Sequence, residues 1–212
     1  MPQTIWIARH GNRHDFVNLE WFNTASLPYD PPLSDDGLIQ AQELGKRLSN
    51  EKISHIFSSP FLRTIQTANQ VAKMSNLPIK LEAGLSEWLN PAWMSNNPQL
   101  HSQEMLEKNY PRIDWSYTSC IIPLYPESEK TMLYRTAETA RQLVSRFNEN
   151  ILLIGHGPSI LGTTVGLIGG EIKINASFCA LIKIVRSGEQ WSMELNGDTS
   201  HLSQKETKIR FS

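Results

Sequence analysis

Cysteine is nearly absent from this chain: the 212 residues hold two, Cys120 and Cys179, far apart and without paired spacing. A disulfide-stapled fold and a thiolate zinc site both need cysteines in sets, so neither is expected, and a reducing cytoplasm is the compartment that fits. Long apolar runs are missing too. No segment reaches membrane-spanning length, and the first apolar stretch ends at Arg9-His10, where a secretory leader would continue. The chain therefore reads as soluble, and Asn175-Ala176-Ser177 as an accidental match to a glycosylation acceptor. An excess of charge of one sign is also lacking, since 20 basic residues face 21 acidic ones. No global field draws the protein to nucleic acid or to an anionic membrane, so any anion site must be local. There is no internal repeat and no low-complexity tract. Hydrophobic residues at 40% over this length suffice for one core, and a single domain over 1–212 is expected.

What is present is an alternation of short apolar runs and amphipathic segments. Thr4 to Ala8, Ile53 to Ser58, Ile79 to Leu81 and Ile151 to Ile154 read as buried strands. Helices are expected after Ser34, where a capping hydroxyl precedes Asp35 and Asp36, from Pro60 onward, from Thr131 to Asn148, and after Gly155-His156-Gly157. Residues 12 to 32 read as a loop, and residues 84 to 130 as an irregular excursion over the functional edge of the sheet. A hairpin is expected around Ser187-Gly188, followed by a loosely ordered polar tail, the two together spanning about 180–212. The pattern predicts an α/β fold: a mostly parallel central sheet with helices on both faces and a core over about 4–185.

In such sheets ligands bind beyond the carboxyl ends of the strands. Three stretches bring charged or histidine residues there: Arg9-His10-Gly11, Ser58-Ser59-Pro60 with Arg63, and Gly155-His156-Gly157. Arginine forks suit a transferred phosphoryl group, which keeps negative charge on its equatorial oxygens throughout. A neutral imidazole can attack phosphorus and later leave, and surrounding guanidinium groups disfavour the imidazolium. No metal or other cofactor is required for this. A carboxylic acid must protonate the departing oxygen and then take a proton from water.

These signatures, with Thr67-Ala68 and Glu87, resemble in order and spacing those of the histidine phosphatase superfamily, in its phosphoglycerate-mutase-like branch. The resemblance implies His10 as nucleophile, Arg9 and Arg63 as phosphate ligands, His156 as a further ligand of the transferring group, and Glu87 as proton donor. Arg9 through Arg13 with Asp15, together with Gly84 through Trp88, look similar to the phosphatase domains of the suppressor of T-cell-receptor signalling and ecdysteroid-phosphate phosphatase type. That likeness implies Arg13 as another phosphate ligand. Mutases of the branch usually carry a small hydroxyl residue where Arg13 stands and asparagine where Phe16 stands, so the resemblance favours net hydrolysis over phosphoglycerate mutation.

The implied activity is a metal-independent phosphatase acting on a small-molecule or phosphoprotein monoester, without nucleic acid or membrane as partner. Glu82 and Asp15 stand as substitute proton donors. A metallohydrolase built on His10, His14 and His156 is a rival, as is a binding module that holds phosphate without turnover. Trp88, Trp93, Trp115 and Tyr117 of the excursion are expected mostly to pack as a satellite core, with one or two lining the leaving-group pocket.

Overall fold

A computed structural model describes residues 2–204. Its strands are β1 (Gln3–Arg9), β2 (His55–Ser58), β3 (Ile79–Leu81), β4 (Ile151–Gly155), β5 (Leu181–Ser187) and β6 (Gln190–Asp198). They form one six-stranded sheet in the order β3-β2-β4-β1-β5-β6. β1 to β4 pair in parallel, whereas β5 runs antiparallel to β1 and β6 antiparallel to β5. The helices are α1 (Trp21–Thr24), α2 (Asp35–Leu48), α3 (Leu62–Ser75), α4 (Gln103–Asn109), α5 (Glu129–Arg146) and α6 (Gly157–Ile168).

The central strands are mainly apolar between their ends because both their faces are covered. Trp6, Ala8, Ile56, Leu152 and Ile154 pack with Leu44 and Leu48 of α2 and with Ala68 and Val71 of α3. Ile5, Ile7, Phe57, Ile151 and Leu153 pack on the other face with Ala140 and Leu143 of α5 and with Ile160 and Leu167 of α6. The expected layers and the expected β5–β6 hairpin are therefore present. Residues 205–212 of the polar tail lie outside the described residues.

Helix boundaries follow their caps. Ser34 Oγ accepts from the Gly37 amide at 3.3 Å, and Asp35 and Asp36 occupy the first turn of α2 as expected. α5 starts at Glu129, two residues earlier than the periodicity implies, because Ser128 caps it and accepts from the Thr131 amide at 3.2 Å. Pro60 lies before the extended cap Phe61 rather than opening α3. Two short helices occur where loops were expected. α1 buries none of its residues and α4 buries Leu106 alone, so neither leaves an apolar stripe in the sequence. The excursion still covers one end of the sheet: Leu106 and Ile113 pack on Leu62 and Ile65, while Leu89 and Met94 pack on Phe61. No helix among the described residues is long and apolar enough to cross a membrane.

Candidate active site

β2, β4 and β1 are neighbours, and their hydrogen-bond ladder continues one step past their ends. The His10 amide donates to the Gly155 carbonyl at 3.0 Å, and the Ser59 amide donates to the Ile154 carbonyl at 3.0 Å. His10, His156 and Ser59 are thereby brought together by sheet geometry alone. The turn after His10 is locked from below: a Cβ on Gly11 would lie 2.5 Å from the Gly37 carbonyl oxygen, and the Gly11 amide donates to Thr67 Oγ1 of α3 at 3.2 Å.

The His10 ring is fully buried, and its Nδ1 lies 2.7 Å from the Gly11 carbonyl. A carbonyl only accepts, so Nδ1 holds the hydrogen and Nε2 carries the free lone pair. Nε2 has no hydrogen-bond partner among the described residues. Burial first, then Arg63, His156 and Arg9, push this ring well below the ordinary histidine range. At neutral pH the ring is unprotonated, the form that can act as a nucleophile.

The guanidinium groups surround it. Arg9 donates to the Ala176 carbonyl at 2.8 Å and lies over the Phe178 ring. Arg13 makes a fork to Asp15, at 2.9 Å through Nε and 2.5 Å through Nη2. Arg63, in the first turn of α3, is fully buried, lies 3.9 Å from Asp30 and contacts Glu87 Oε2 at 3.3 Å. Its Nε and Nη1 have no hydrogen-bond partner among the described residues. Burial, then the charge of Arg13, lower Arg63 to about 10, which still leaves it a cation at neutral pH.

His156 caps α6 and places Nε2 2.8 Å from Ser59 Oγ. Its Nδ1 lies 3.2 Å from both Arg63 Nη2 and Glu87 Oε2. Burial lowers His156 to about 4, with Arg63 acting in the same direction and Glu87 opposing it. The rings of His10 and His156 meet edge to face, 5.2 Å apart. For Glu87, burial alone would raise the pKa. His156 and Arg63 outweigh burial and hold the carboxyl well below its usual range, so it is ionised in the empty site.

The six residues singled out in the sequence form one buried cluster, of which Arg13, Arg63 and Glu87 line a cavity, and the substitutes are otherwise engaged. Glu82 accepts from the Tyr117 hydroxyl at 2.6 Å and from the Cys120 and Gly84 amides at 2.8 Å, which makes it a structural anchor. Asp15 holds Arg13. His14 packs against Trp21, away from the convergent set of potential metal ligands, which is His10, Glu87 and His156. Arg9 and Arg63 act on His10, and Arg63 and Arg13 on Glu87 and His156, so this set suits an anion better than a cation.

The sequence did not disclose Ser59 as the partner of His156, or Asp30 behind Arg63. Of the excursion aromatics, Trp93 reaches the pocket wall as expected, but most of that wall comes from the stretch read as a loop. The cavity of about 230 Å³ beside Arg13, Arg63 and Glu87 is lined by Phe16, Phe22 and Tyr29 from the 12–32 loop, with Trp93 and Met94 from the excursion. Tyr117 packs on Phe57, as a satellite core requires, whereas Trp115 is partly exposed. The signal available was the run of aromatics in the first loop, read there only as irregular chain.

The profile of the histidine phosphatase superfamily (branch 1) matches residues 5–199. The transcription factor tau 55 kDa subunit of Saccharomyces cerevisiae is 27% identical over 96% of this chain and 57% of its own length. The human ubiquitin-associated and SH3 domain-containing protein A is 30% identical over 87% of this chain and 34% of its own length. The chain thus spans between a third and somewhat over a half of these relatives. In three dimensions it is similar to the ecdysone phosphate phosphatase of Bombix mori in complex with tungstate, with a TM-score of 0.77, 20% identity and coverage of 99% and 98% of the two chains.

Proposed function

The chain belongs to the histidine phosphatase superfamily (branch 1), and from that premise we propose that it hydrolyses a phosphate monoester through a phosphohistidine on His10. The observation that carries this reading is the buried, neutral His10 ring with Nε2 unpartnered among Arg9, Arg63 and His156. Nε2 attacks phosphorus, the bond from phosphorus to the ester oxygen breaks, and that oxygen takes a proton from Glu87. Water then attacks the phosphohistidine, Glu87 recovers a proton from it, and phosphate leaves with the lone pair returned to Nε2. Arg9, Arg13, Arg63 and His156 hold the equatorial oxygens.

Glu87 is ionised in the empty site, so it must gain its proton on substrate binding. The dianionic phosphoryl group offsets the positive field of Arg63 and Arg13 that keeps Glu87 ionised, and its pKa rises as the site fills. The proton reaches it from solvent or from the ester's own second ionisation, which lies near pH 6.

The pocket wall of Phe16, Phe22, Tyr29, Trp93 and Met94 favours an aryl or otherwise apolar leaving group over a small sugar phosphate. Arg13 and Phe16, the two positions that depart from the mutase pattern, both stand in that wall, which supports net hydrolysis. A cytoplasmic setting accords with Cys120 and Cys179, both free thiols.

The test is hydrolysis of 4-nitrophenyl phosphate by the wild type and by His10→Ala, with acid and alkaline quenches of the enzyme during turnover. Turnover and an acid-labile, alkali-stable phosphoenzyme in the wild type, with neither in the variant, are expected. Activity in His10→Ala, or equilibration of phosphoglycerate isomers in place of phosphate release, would overturn the reading.

A further inference from the structure

Glu87 lies just beyond a short 3-10 turn, and two buried side chains outside the pocket hold the backbone at Gly84, Ser86, Glu87 and Leu89. Arg135, projecting from α5, sends its fork across the stretch: Nη1 donates to the Gly84 carbonyl at 2.9 Å and to the Ser86 carbonyl at 3.2 Å, and Nη2 donates to the Glu87 carbonyl at 3.2 Å. The same guanidinium is held by Glu127, at 2.6 Å through Nε and 2.7 Å through Nη2. Glu127 in turn accepts from the Leu89 amide at 3.2 Å through Oε2. Its backbone donates to the Leu89 carbonyl at 2.9 Å and accepts from the Trp88 indole at 3.0 Å. Both side chains are about 5% exposed.

We propose that Arg135 and Glu127 form a clamp that positions Glu87 for proton transfer to the leaving group. The inference rests on Glu87 being the proton donor. A buried ion pair is weak as a source of stability, because desolvation consumes most of its attraction. This pair does something an apolar pair could not: its donors satisfy the carbonyls of Gly84, Ser86 and Glu87, which the short 3-10 turn over Ala83–Leu85 does not use. Gly84 shows how closely the stretch lies on α5, since any Cβ there would collide with Thr139. α5 therefore carries the acid's backbone on one residue, Arg135, while its neighbours Thr136 and Ala137 meet α6, whose cap is His156. The two groups that flank the transferring phosphoryl share one support. Proton transfer requires heavy atoms within about 3 Å, so a small shift of this stretch removes it without emptying the phosphate site.

The experiment compares kcat/KM for 4-nitrophenyl phosphate and for phenyl phosphate, whose leaving group needs a proton far more. Because kcat/KM reports the phosphorylation of His10 alone, later water attack does not enter. Wild type, Glu87→Gln, Arg135→Lys, Arg135→Met and Glu127→Gln are measured together, with tungstate affinity and the thermal midpoint as controls on the fold. Arg135→Lys keeps the charge pair but loses the planar fork, which guards against a variant that fails to fold. Glu87→Gln is expected to worsen the phenyl ester relative to the nitrophenyl ester by about a hundredfold, the usual scale of general acid catalysis. The clamp variants are expected to move the same ratio by about tenfold while tungstate still binds. A ratio that moves in Glu87→Gln but stays at the wild-type value in the folded clamp variants overturns the clamp and leaves the role of Glu87 standing. A ratio unmoved in Glu87→Gln overturns both.

Discussion

His10 and His156 are both held neutral by the fold, and this links catalysis to stability through pH. In the unfolded chain each ring titrates near 6.5; in the fold His156 titrates near 4 and His10 also well below the ordinary value. Below pH 6.5 the unfolded state therefore binds more protons than the native state, and stability falls as pH falls. Each pH unit in that interval costs about 1.4 kcal/mol per ring. Glu87 is also lowered, but for a carboxyl that shift stabilises the fold: its contribution is present above 4.5 and is lost only as pH drops below that value. Urea unfolding at pH 7 and pH 5 is expected to show a marked loss at pH 5, smaller in His156→Gln because one depressed ring is gone. Equal stability of the wild type at the two pH values would mean that these rings are not held neutral. At this scale the sequence was legible wherever a residue ends a buried strand: an apolar run followed by Arg9-His10 or Gly155-His156 marks the catalytic edge directly. Arg135 and Glu127 left no such mark, because a charged residue on an amphipathic helix or in a loop looks the same whether it meets water or buried carbonyls. Arg63 was found through its motif, and Asp30 behind it was not.

Among the elements, α5 and α6 pack at a distance only glycine allows. A Cβ on Gly166 would stand 2.5 Å from Ala137 Cα, and one on Gly162 would collide with Thr136 Oγ1. This contact sets where α6 begins, and α6 begins directly after its cap, His156. Gly166→Ala is expected to cost about 1–3 kcal/mol, as overpacking of a filled interior does, measured by urea denaturation. Gly162→Ala lies one turn nearer the site and is expected also to weaken tungstate binding, since the helix must slide or tilt to admit the methyl group. Gly169→Ala would meet nothing within 4 Å, so any cost there comes from its positive φ of 79° and should leave tungstate affinity alone. If Gly162→Ala binds tungstate as tightly as Gly169→Ala, the helix contact does not set the site. Elements with a wide buried face, α2, α3 and α5, were readable from periodicity, with ends fixed by Ser34 and Ser128. α1 and α4 were not readable, because a helix that buries at most one side chain has no stripe to detect.

Over the whole molecule, acid and base nearly cancel, yet cationic groups are concentrated in one buried pocket. Arg9, Arg13 and Arg63 stand beside His10 and His156, with Asp15, Glu87 and Asp30 as the nearby acids. Burial depresses Arg63 itself and Arg13 adds to that, while Glu87, Asp30 and Asp15 oppose it only in part, so this buried cation is under-compensated. An oxyanion that fills the pocket relieves this, and it binds only the folded state. Stability must then rise with oxyanion concentration, by about 2.7 kcal/mol at a hundred times the dissociation constant. For a chain of this length that corresponds to a rise of several degrees in the thermal midpoint. Chloride at equal ionic strength is the comparison that separates binding from general screening, and a buried site is screened weakly. Tungstate or phosphate should raise the midpoint of the wild type well beyond chloride. In Arg63→Gln, which removes the most buried guanidinium, that excess should largely disappear. An equal rise with chloride, or an undiminished rise in Arg63→Gln, would mean that the pocket does not bind the phosphoryl group through these arginines.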